Sequence, residues 1–139
     1  MEQKKGSSAK RVAFWLLSIK SRSTEELRKK LTLKGFPSQE VEETLIYCQD
    51  AGYLNDDQVS KRRVEQLEAK GYGPRYIKMK LKGWGLKNPG FSSEIEVIRA
   101  LLQKANWKKK SPQQKAAALA RRGFSTEAIY AQIRDLCED

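Results

Sequence analysis

Histidine is absent from this 139-residue chain. It is the side chain that most often transfers protons or holds metals near neutral pH. The chain also lacks a GxxxxGK[ST] phosphate loop, a GxGxxG fingerprint and a CxxC pair. Adjacent carboxylates, Asp56 and Asp57, stand at a predicted helix start, where capping explains them better than a metal-dependent nuclease does. The sequence therefore predicts no enzyme, no metal and no cofactor.

Cysteine and long apolar runs are also scarce. Cys48 and Cys137 fall on apolar faces of predicted helices, which is typical of buried free thiols in a reducing cytoplasm. The apolar stretch near the start, Val12 to Leu17, ends at Ser18, far short of the roughly 20 residues of a membrane helix. Because no signal-peptide cleavage site follows it, we expect a soluble, cytoplasmic protein without a membrane partner.

Acidic residues are too few to balance the basic ones. There are 17 Asp and Glu against 28 Lys and Arg, which gives a formal net charge of +11. Such an excess attracts polyanions, namely nucleic acid, an acidic protein surface or an anionic membrane. The alternative is a basic surface that serves only solubility.

One helical pattern occurs three times in the chain. The segments are STEELRKKLTLKGF, GPRYIKMKLKGWGL and SPQQKAAALARRGF, which start at Ser23, Gly73 and Ser111. Their first residues are good N-caps, and prolines follow two of them at the first helical position. Each segment ends with a glycine suited to a left-handed helix end and an apolar residue that packs back on the last turn. The pattern predicts three short helices of one design.

Other helical patterns flank each short helix. Longer helices are predicted upstream at 9–21, 56–70 and 93–109, the last with a Ser93/Glu96 capping box. Downstream, apolar residues spaced i, i+4, i+7 predict helices capped by Ser38 and Ser125. The middle copy carries KNPGFSSE there instead, which predicts a single turn or a loop.

No segment shows the alternation of a strand, so the predicted fold is all-α. Three helices joined by short turns make a helix-turn-helix-like unit. We therefore expect an elongated tandem array of three such three-helix repeats, at 11–54, 55–92 and 93–139, after a basic N-terminal tail at 1–10.

The helix that starts at Pro74 has basic side chains and no acidic ones. On a helical wheel, Ile77, Leu81 and Trp84 share one side, which we interpret as the core side. Arg75, Lys78 and Lys82 share another side, and Lys80 lies apart from them. Two tyrosines, Tyr72 and Tyr76, are interleaved with the basic residues in the sequence. This surface suits phosphates or the carboxylates of a protein partner, and a merely solvated charged face is the alternative.

Further basic clusters occur in the second and third repeats. They comprise Lys61, Arg62 and Arg63, then Lys108, Lys109 and Lys110, and then Arg121 and Arg122. If the repeats lie in a row, these clusters would extend one positive strip. For the last two clusters, cations that compensate a helix dipole are an equally good explanation.

These segments resemble the RecX regulatory proteins, which are bacterial modulators of the RecA recombinase. The resemblance rests on SRSTEELRKKLTLKGF, AGYLNDDQV, GYGPRYIKMKLKGWGL and GFSTEAIYAQI, and it extends from about Arg11 to the C-terminus. It implies an array that binds along the RecA filament on single-stranded DNA and lowers ATP hydrolysis, strand exchange and co-protease stimulation. DNA repair, homologous recombination and the SOS response are the implied setting. The chain departs at Lys80, where relatives commonly have glutamate, and at Val59, where they have an aromatic residue.

The resemblance implies that a monomer binds the RecA filament and single-stranded DNA, with little sequence specificity. We expect Arg75, Lys78 and Lys82 to make the strongest contact, assisted by the clusters at 61–63 and 108–110. Two alternatives remain. One is a sequence-specific helix-turn-helix DNA-binding protein, which needs Arg, Asn or Gln at the start of a recognition helix and usually a dimer. The other is a basic adaptor for acidic proteins without a direct role at RecA.

Overall fold

The computed structural model describes residues 8–138, and their side chains as far as Arg134. Within that range the chain forms nine helices and no strand, so the all-α prediction is confirmed. The helices are α1 Ala9–Ile19, α2 Thr24–Leu33, α3 Ser38–Asp50, α4 Asp56–Ala69, α5 Pro74–Trp84, α6 Glu94–Leu102, α7 Ala105–Lys108, α8 Pro112–Arg121 and α9 Thr126–Glu138. None of these helices is both long enough and apolar enough to cross a membrane.

The predicted helix starts and ends of the repeated pattern are confirmed. Capping boxes open α2 at Ser23 and α8 at Ser111. After α2, α5 and α8, the shared glycines Gly35, Gly85 and Gly123 have φ of 96°, 74° and 96°. The apolar residue after each glycine is buried, as the pattern predicts. These short-range signals depend only on residues within one or two turns, which is why the sequence reveals them.

The predicted single helix at 93–109 is wrong, because the structure divides it into α6 and α7. In an unbroken helix, Trp107 would lie about 240° around the axis from Leu101 and would miss the core. The break at Gln103 and Lys104 lets both Leu101 and Trp107 be buried. The Ser93/Glu96 capping box is also absent, since the Ser93 side chain makes no capping hydrogen bond.

Two smaller boundaries differ from prediction, and one open alternative is decided. Helix α3 begins at Ser38, so its N-cap is Pro37 and Ser38 is not the cap. Helix α1 begins at Ala9, as the predicted helix does, but it ends at Ile19 and its start lies inside the predicted 1–10 tail. Residues 1–7 of that tail lie outside the described range. Residues 86–93 contain no helix, so the irregular middle copy is a loop, one of the two predicted outcomes.

The described chain forms two compact units. The first comprises the residues up to Ser60 together with Lys82–Lys87, and the second comprises Lys61–Leu81 together with the residues from Asn88 onward. The first core is made of Ala9, Ala13, Leu16, Leu27, Leu31, Phe36, Val41, Leu45, Cys48 and Leu54. The second is made of Ile98, Leu101, Leu102, Trp107, Ala118, Leu119, Phe124, Ala128, Ile129 and Ile133. The division into three repeats stays a prediction.

Cys48 is a buried free thiol, as predicted. Burial raises the pKa of this thiol, and the positive charge of Lys10 opposes that shift. The side chain of Cys137 lies outside the described residues.

Acidic residues in the first turn of one helix cap a different helix. The Asp56 carboxylate on α4 accepts hydrogen bonds from the backbone N–H and the hydroxyl of Thr24, at 2.8 and 3.0 Å. Similarly, Glu94 on α6 accepts from the backbone N–H and hydroxyl of Ser125, at 2.8 and 3.1 Å. Asn55, not Asp56, caps α4. The capping interpretation of Asp56 is therefore right in kind, but the helix that it caps is α2.

Ser23 makes one more hydrogen bond than a helix cap requires, so its removal should be costly. Its hydroxyl accepts from the Glu26 N–H at 3.1 Å and donates to the Trp84 carbonyl at 2.7 Å, in a fully buried position. We expect Ser23→Ala to lower the free energy of unfolding by about 2 kcal/mol. Ser111→Ala is the matched control, because Ser111 caps α8 at an exposed position, and it should cost about 1 kcal/mol. Equal losses in denaturant unfolding would contradict a role for the Trp84 contact.

Candidate nucleic-acid interface

Helix α5 starts against the turn that follows α8. The Gly73 N–H donates to the Arg122 carbonyl at 2.8 Å, and the Arg75 N–H donates to the Gly123 carbonyl at 3.0 Å. These carbonyls satisfy N–H groups that a helix start otherwise leaves without partners. A Cβ at position 73 would lie 2.7 Å from the Gly123 oxygen, so the backbones approach this closely only with glycine. Packing against this turn therefore requires glycine at position 73.

The two faces of α5 are separated as the helical wheel predicts. Ile77 and Leu81 are buried, whereas Arg75, Lys78 and Lys82 are exposed. Trp84, which the sequence assigns to the core side, is only half-buried. The helix has no acidic residue, so the positive charge of this exposed face has no internal counter-charge within α5. This exposed cationic face is the best candidate for binding a polyanion.

Both predicted tyrosines, Tyr72 just before α5 and Tyr76 on it, belong to a row of stacked side chains. The rings of Tyr72 and Tyr76 stack with their centroids 4.1 Å apart and an angle of 16° between their planes. The Arg122 guanidinium carbon lies 5.0 Å from the Tyr72 centroid and 5.5 Å from that of Trp107. We call Tyr76, Tyr72, Arg122 and Trp107 the Tyr–Arg–Trp stack. Cation–π contacts of this kind favour a fixed packing arrangement.

Two of the predicted basic residues lie on the rings of this stack. The Lys80 ammonium is 5.6 Å from the Tyr76 centroid, and the Lys110 ammonium is 5.6 Å from the Trp107 centroid. The structure therefore brings Lys110 to the same stack as Tyr72, Tyr76 and Lys80, which are close together in the sequence. The contacts of these four residues lie within the second unit and pack its side chains together.

Arg122 is a capping residue for α4, which the sequence interpretation missed. Its Nη1 donates to the carbonyls of Lys70 and Gly71, at 3.0 and 3.4 Å. Both carbonyls follow the end of α4, so the guanidinium completes the C-terminus of a helix other than its own. The pair Arg121 and Arg122 is thus not one cluster, since Arg121 stays exposed in the last turn of α8. No sequence signal indicates a partner 52 positions away.

Loss of the Arg122 side chain should loosen the second unit. Arg122→Leu removes two hydrogen bonds to backbone carbonyls and two cation–π contacts, so we expect a loss of about 2 kcal/mol of stability. Arg122→Lys should recover only part of it, because an ammonium cannot stack as a planar guanidinium does. Thermal unfolding monitored by circular dichroism measures both variants. Arg121→Leu is the control and should be nearly neutral; an equal effect there would refute the capping role.

The residues of the basic clusters at 61–63 and 108–110 differ in their exposure to solvent. Lys61, Arg62, Lys108 and Lys109 are exposed, whereas Arg63 is half-buried. Lys108 lies in the last turn of α7, where a cation compensates the helix dipole. A continuous positive strip over these clusters stays a prediction.

The described structure defines a class of protein, namely a basic, all-helical protein with an exposed helix face that carries cations and no acidic residue. Comparison with known proteins narrows that class. A family model described as the first three-helix domain of RecX matches residues 9–48. The regulatory protein RecX of Vibrio vulnificus (strain CMCP6) is 33% identical over 141 residues, which cover 92% of each chain. The chain belongs to the RecX family of regulatory proteins.

Other relatives extend this comparison. The regulatory protein RecX of Caldanaerobacter subterraneus is 30% identical over 131 residues, which cover 87% of this chain and 66% of that one. The crystal structure of RecX from Lactobacillus salivarius superimposes with a TM-score of 0.80 at 20% identity, over 94% of this chain and 96% of that one. A second RecX crystal structure gives a TM-score of 0.73, also at 20% identity, over 91% of this chain and 71% of that one. The solved structures show that the fold is shared.

Proposed function

We propose that this protein is a cytoplasmic regulator that binds the RecA filament on single-stranded DNA and lowers RecA's ATP hydrolysis, strand exchange and co-protease stimulation. Membership in a family of regulatory proteins supports a regulatory role. The observation that carries the proposal for this chain is the exposed face of α5, which has cations and no acidic side chain. The protein acts by binding and carries out no chemistry of its own.

The α5 face is the proposed contact with the filament. Arg75, Lys78 and Lys82 neutralise phosphates of the DNA or carboxylates of RecA, and Lys61, Arg62, Arg63 and Lys108 to Lys110 assist them. A bound regulator that contacts neighbouring RecA protomers and DNA together holds the filament in one conformation. Because ATP turnover requires the filament to change conformation, such binding slows hydrolysis.

The rate of ATP hydrolysis by the cognate RecA on single-stranded DNA tests this proposal. The protein should lower that rate when it is present at well below one copy per RecA, since one bound copy restrains several protomers. An unchanged rate, even at equal amounts, would overturn the proposal and leave the DNA-binding or adaptor alternative. Salt then separates those two, because phosphate binding weakens with salt for every DNA sequence, whereas base readout keeps a sequence preference.

A further inference from the structure

Aromatic rings are unusually exposed on the first unit. Phe14 and Trp15 on α1 are 54% and 59% exposed, and Tyr47 and Tyr53 are 45% and 46% exposed. Large rings normally contribute to a core, and a group of them on the surface of a soluble protein marks a binding site. None of these four residues belongs to the α5 site. We call them the aromatic platform.

Three of the rings, those of Phe14, Tyr47 and Tyr53, lie along one side of α1, and Trp15 lies on the adjoining exposed side. Phe14 and Tyr53 are in edge-to-face contact, with their centroids 4.8 Å apart and an angle of 77° between their planes. The Lys10 ammonium lies 4.6 Å from the Tyr47 centroid. Lys10 and Phe14 are four residues apart on α1, so they occupy the same side of the helix. Trp15 lies about 100° further around α1, on the adjoining exposed side. The platform therefore comprises exposed rings of α1, Tyr47 of α3 and Tyr53 in the turn after α3.

Helix α1 and its C-cap also carry exposed cations, of which Lys10 lies beside a ring. Lys10 and Arg11 in its first turn and Lys20 at its C-cap are exposed, and the helix contains no acidic residue. Helix α3 is different, because Glu43 and Asp50 are exposed there. A polyanion that follows the platform is therefore drawn to the α1 side and repelled from the α3 side.

We propose that the aromatic platform binds single-stranded DNA by stacking bases on its rings while the phosphates follow the cations of α1. Proteins that bind single strands combine these two features, since every base offers a face for stacking. The inference rests on the proposed function, which brings the protein to single-stranded DNA, and it assigns a second contact distinct from α5. A membrane surface fits less well, because the inner face of α1 is already buried in its own core at Ala9, Ala13 and Leu16.

Two labelled strands of equal length and charge test the proposal, one of oligo-dT and one of the abasic sugar-phosphate backbone. Fluorescence anisotropy should show that the full chain binds oligo-dT at least about tenfold more tightly than the abasic strand, because only the former can stack. The double variant Phe14→Ser/Trp15→Ser should lose that preference and keep its affinity for the abasic strand. Trp15→Tyr, which retains a ring, should keep most of the preference.

Leu33→Ser is the matched control, because Leu33 is an apolar side chain on α2 that is 85% exposed and lies outside the platform. It should leave the preference for bases intact. A wild-type protein that binds both strands equally, or a double variant that keeps the preference, would overturn the platform. If the double variant instead loses only its effect on RecA, the surface binds protein and the proposal is wrong. The ATP hydrolysis assay with wild-type protein reports separately on the proposed function.

Discussion

Reversal of three charges on α5, in the variant Arg75→Glu/Lys78→Glu/Lys82→Glu, should weaken binding to RecA-coated single-stranded DNA by about a hundredfold at about 0.1 M salt. Each phosphate contact on a single strand contributes about 0.7 to the slope of log K against log salt, which amounts to about fivefold in affinity at this salt concentration. Three lost contacts multiply to roughly a hundredfold. The proposed inhibition of ATP hydrolysis by RecA should be lost at the same time.

A control with the same change in charge makes this result specific. Lys29→Glu/Lys30→Glu/Lys104→Glu also reverses three exposed lysines, but none of them lies on α5. It should retain most of the binding, and circular dichroism should show wild-type helicity for both variants. Sedimentation with the filament over a range of salt concentrations measures the affinity and its slope. Tight binding by the α5 variant, or an equal loss in the control, would show that the α5 face is not the contact.

Gly123→Ala should be the most destabilising of the proposed single substitutions, with a loss of about 4 kcal/mol. Gly123 has φ of 96°, a conformation that an L side chain adopts only at a cost of about 1–2 kcal/mol. A Cβ there would also lie 2.5 Å from the backbone nitrogen of Tyr76, so α5 must move to admit it. The unfolding temperature should fall by about 10 °C.

Gly52→Ala separates the two causes of this loss. Gly52 has a similar φ of 84°, but a Cβ there would meet nothing within 4 Å. It should therefore cost about 1 kcal/mol, from backbone conformation alone. The difference between the two variants measures how firmly the turn after α8 holds the first turn of α5. Equal losses in thermal unfolding would mean that the Gly123 turn can relax away from Tyr76.

The displacement of α5 in Gly123→Ala should also change the effect of the protein on RecA. Since the carbonyls of Arg122 and Gly123 hold the first turn of α5, Gly123→Ala should reduce the proposed inhibition of RecA at temperatures where the protein is still folded. Gly52→Ala should not.

Much of the local structure could be predicted from the sequence because its causes are local. The capping boxes at Ser23 and Ser111 and the left-handed glycines depend on residues within one or two turns. The separation of Ile77 and Leu81 from the basic face of α5 follows from the 3.6-residue period alone. The net charge of +11, the repeated pattern and the resemblance to RecX proteins are likewise properties of the amino-acid sequence alone.

The platform could have been suspected from spacing but not established by it. The buried residues of α1, Ala9, Ala13 and Leu16, are spaced i, i+4, i+7, which leaves Phe14 and Trp15 off the core face. The sequence interpretation treated them only as part of an apolar stretch. Whether such rings are covered depends on which helix packs over them, and a helical period does not encode that.

Contacts between distant residues depend on how the helices pack. The bonds from Arg122 to the end of α4 and the capping of α2 by Asp56 join segments far apart in the chain. The break between α6 and α7 likewise serves a core that Trp107 shares with residues of α8 and α9. A side chain at a helix start satisfies whichever orphan N–H group or carbonyl folding brings near it, and that partner need not belong to its own helix. Most of the helices, their ends and their charge thus follow from local sequence, whereas packing sets which helix each cap serves and which rings and cations stay exposed.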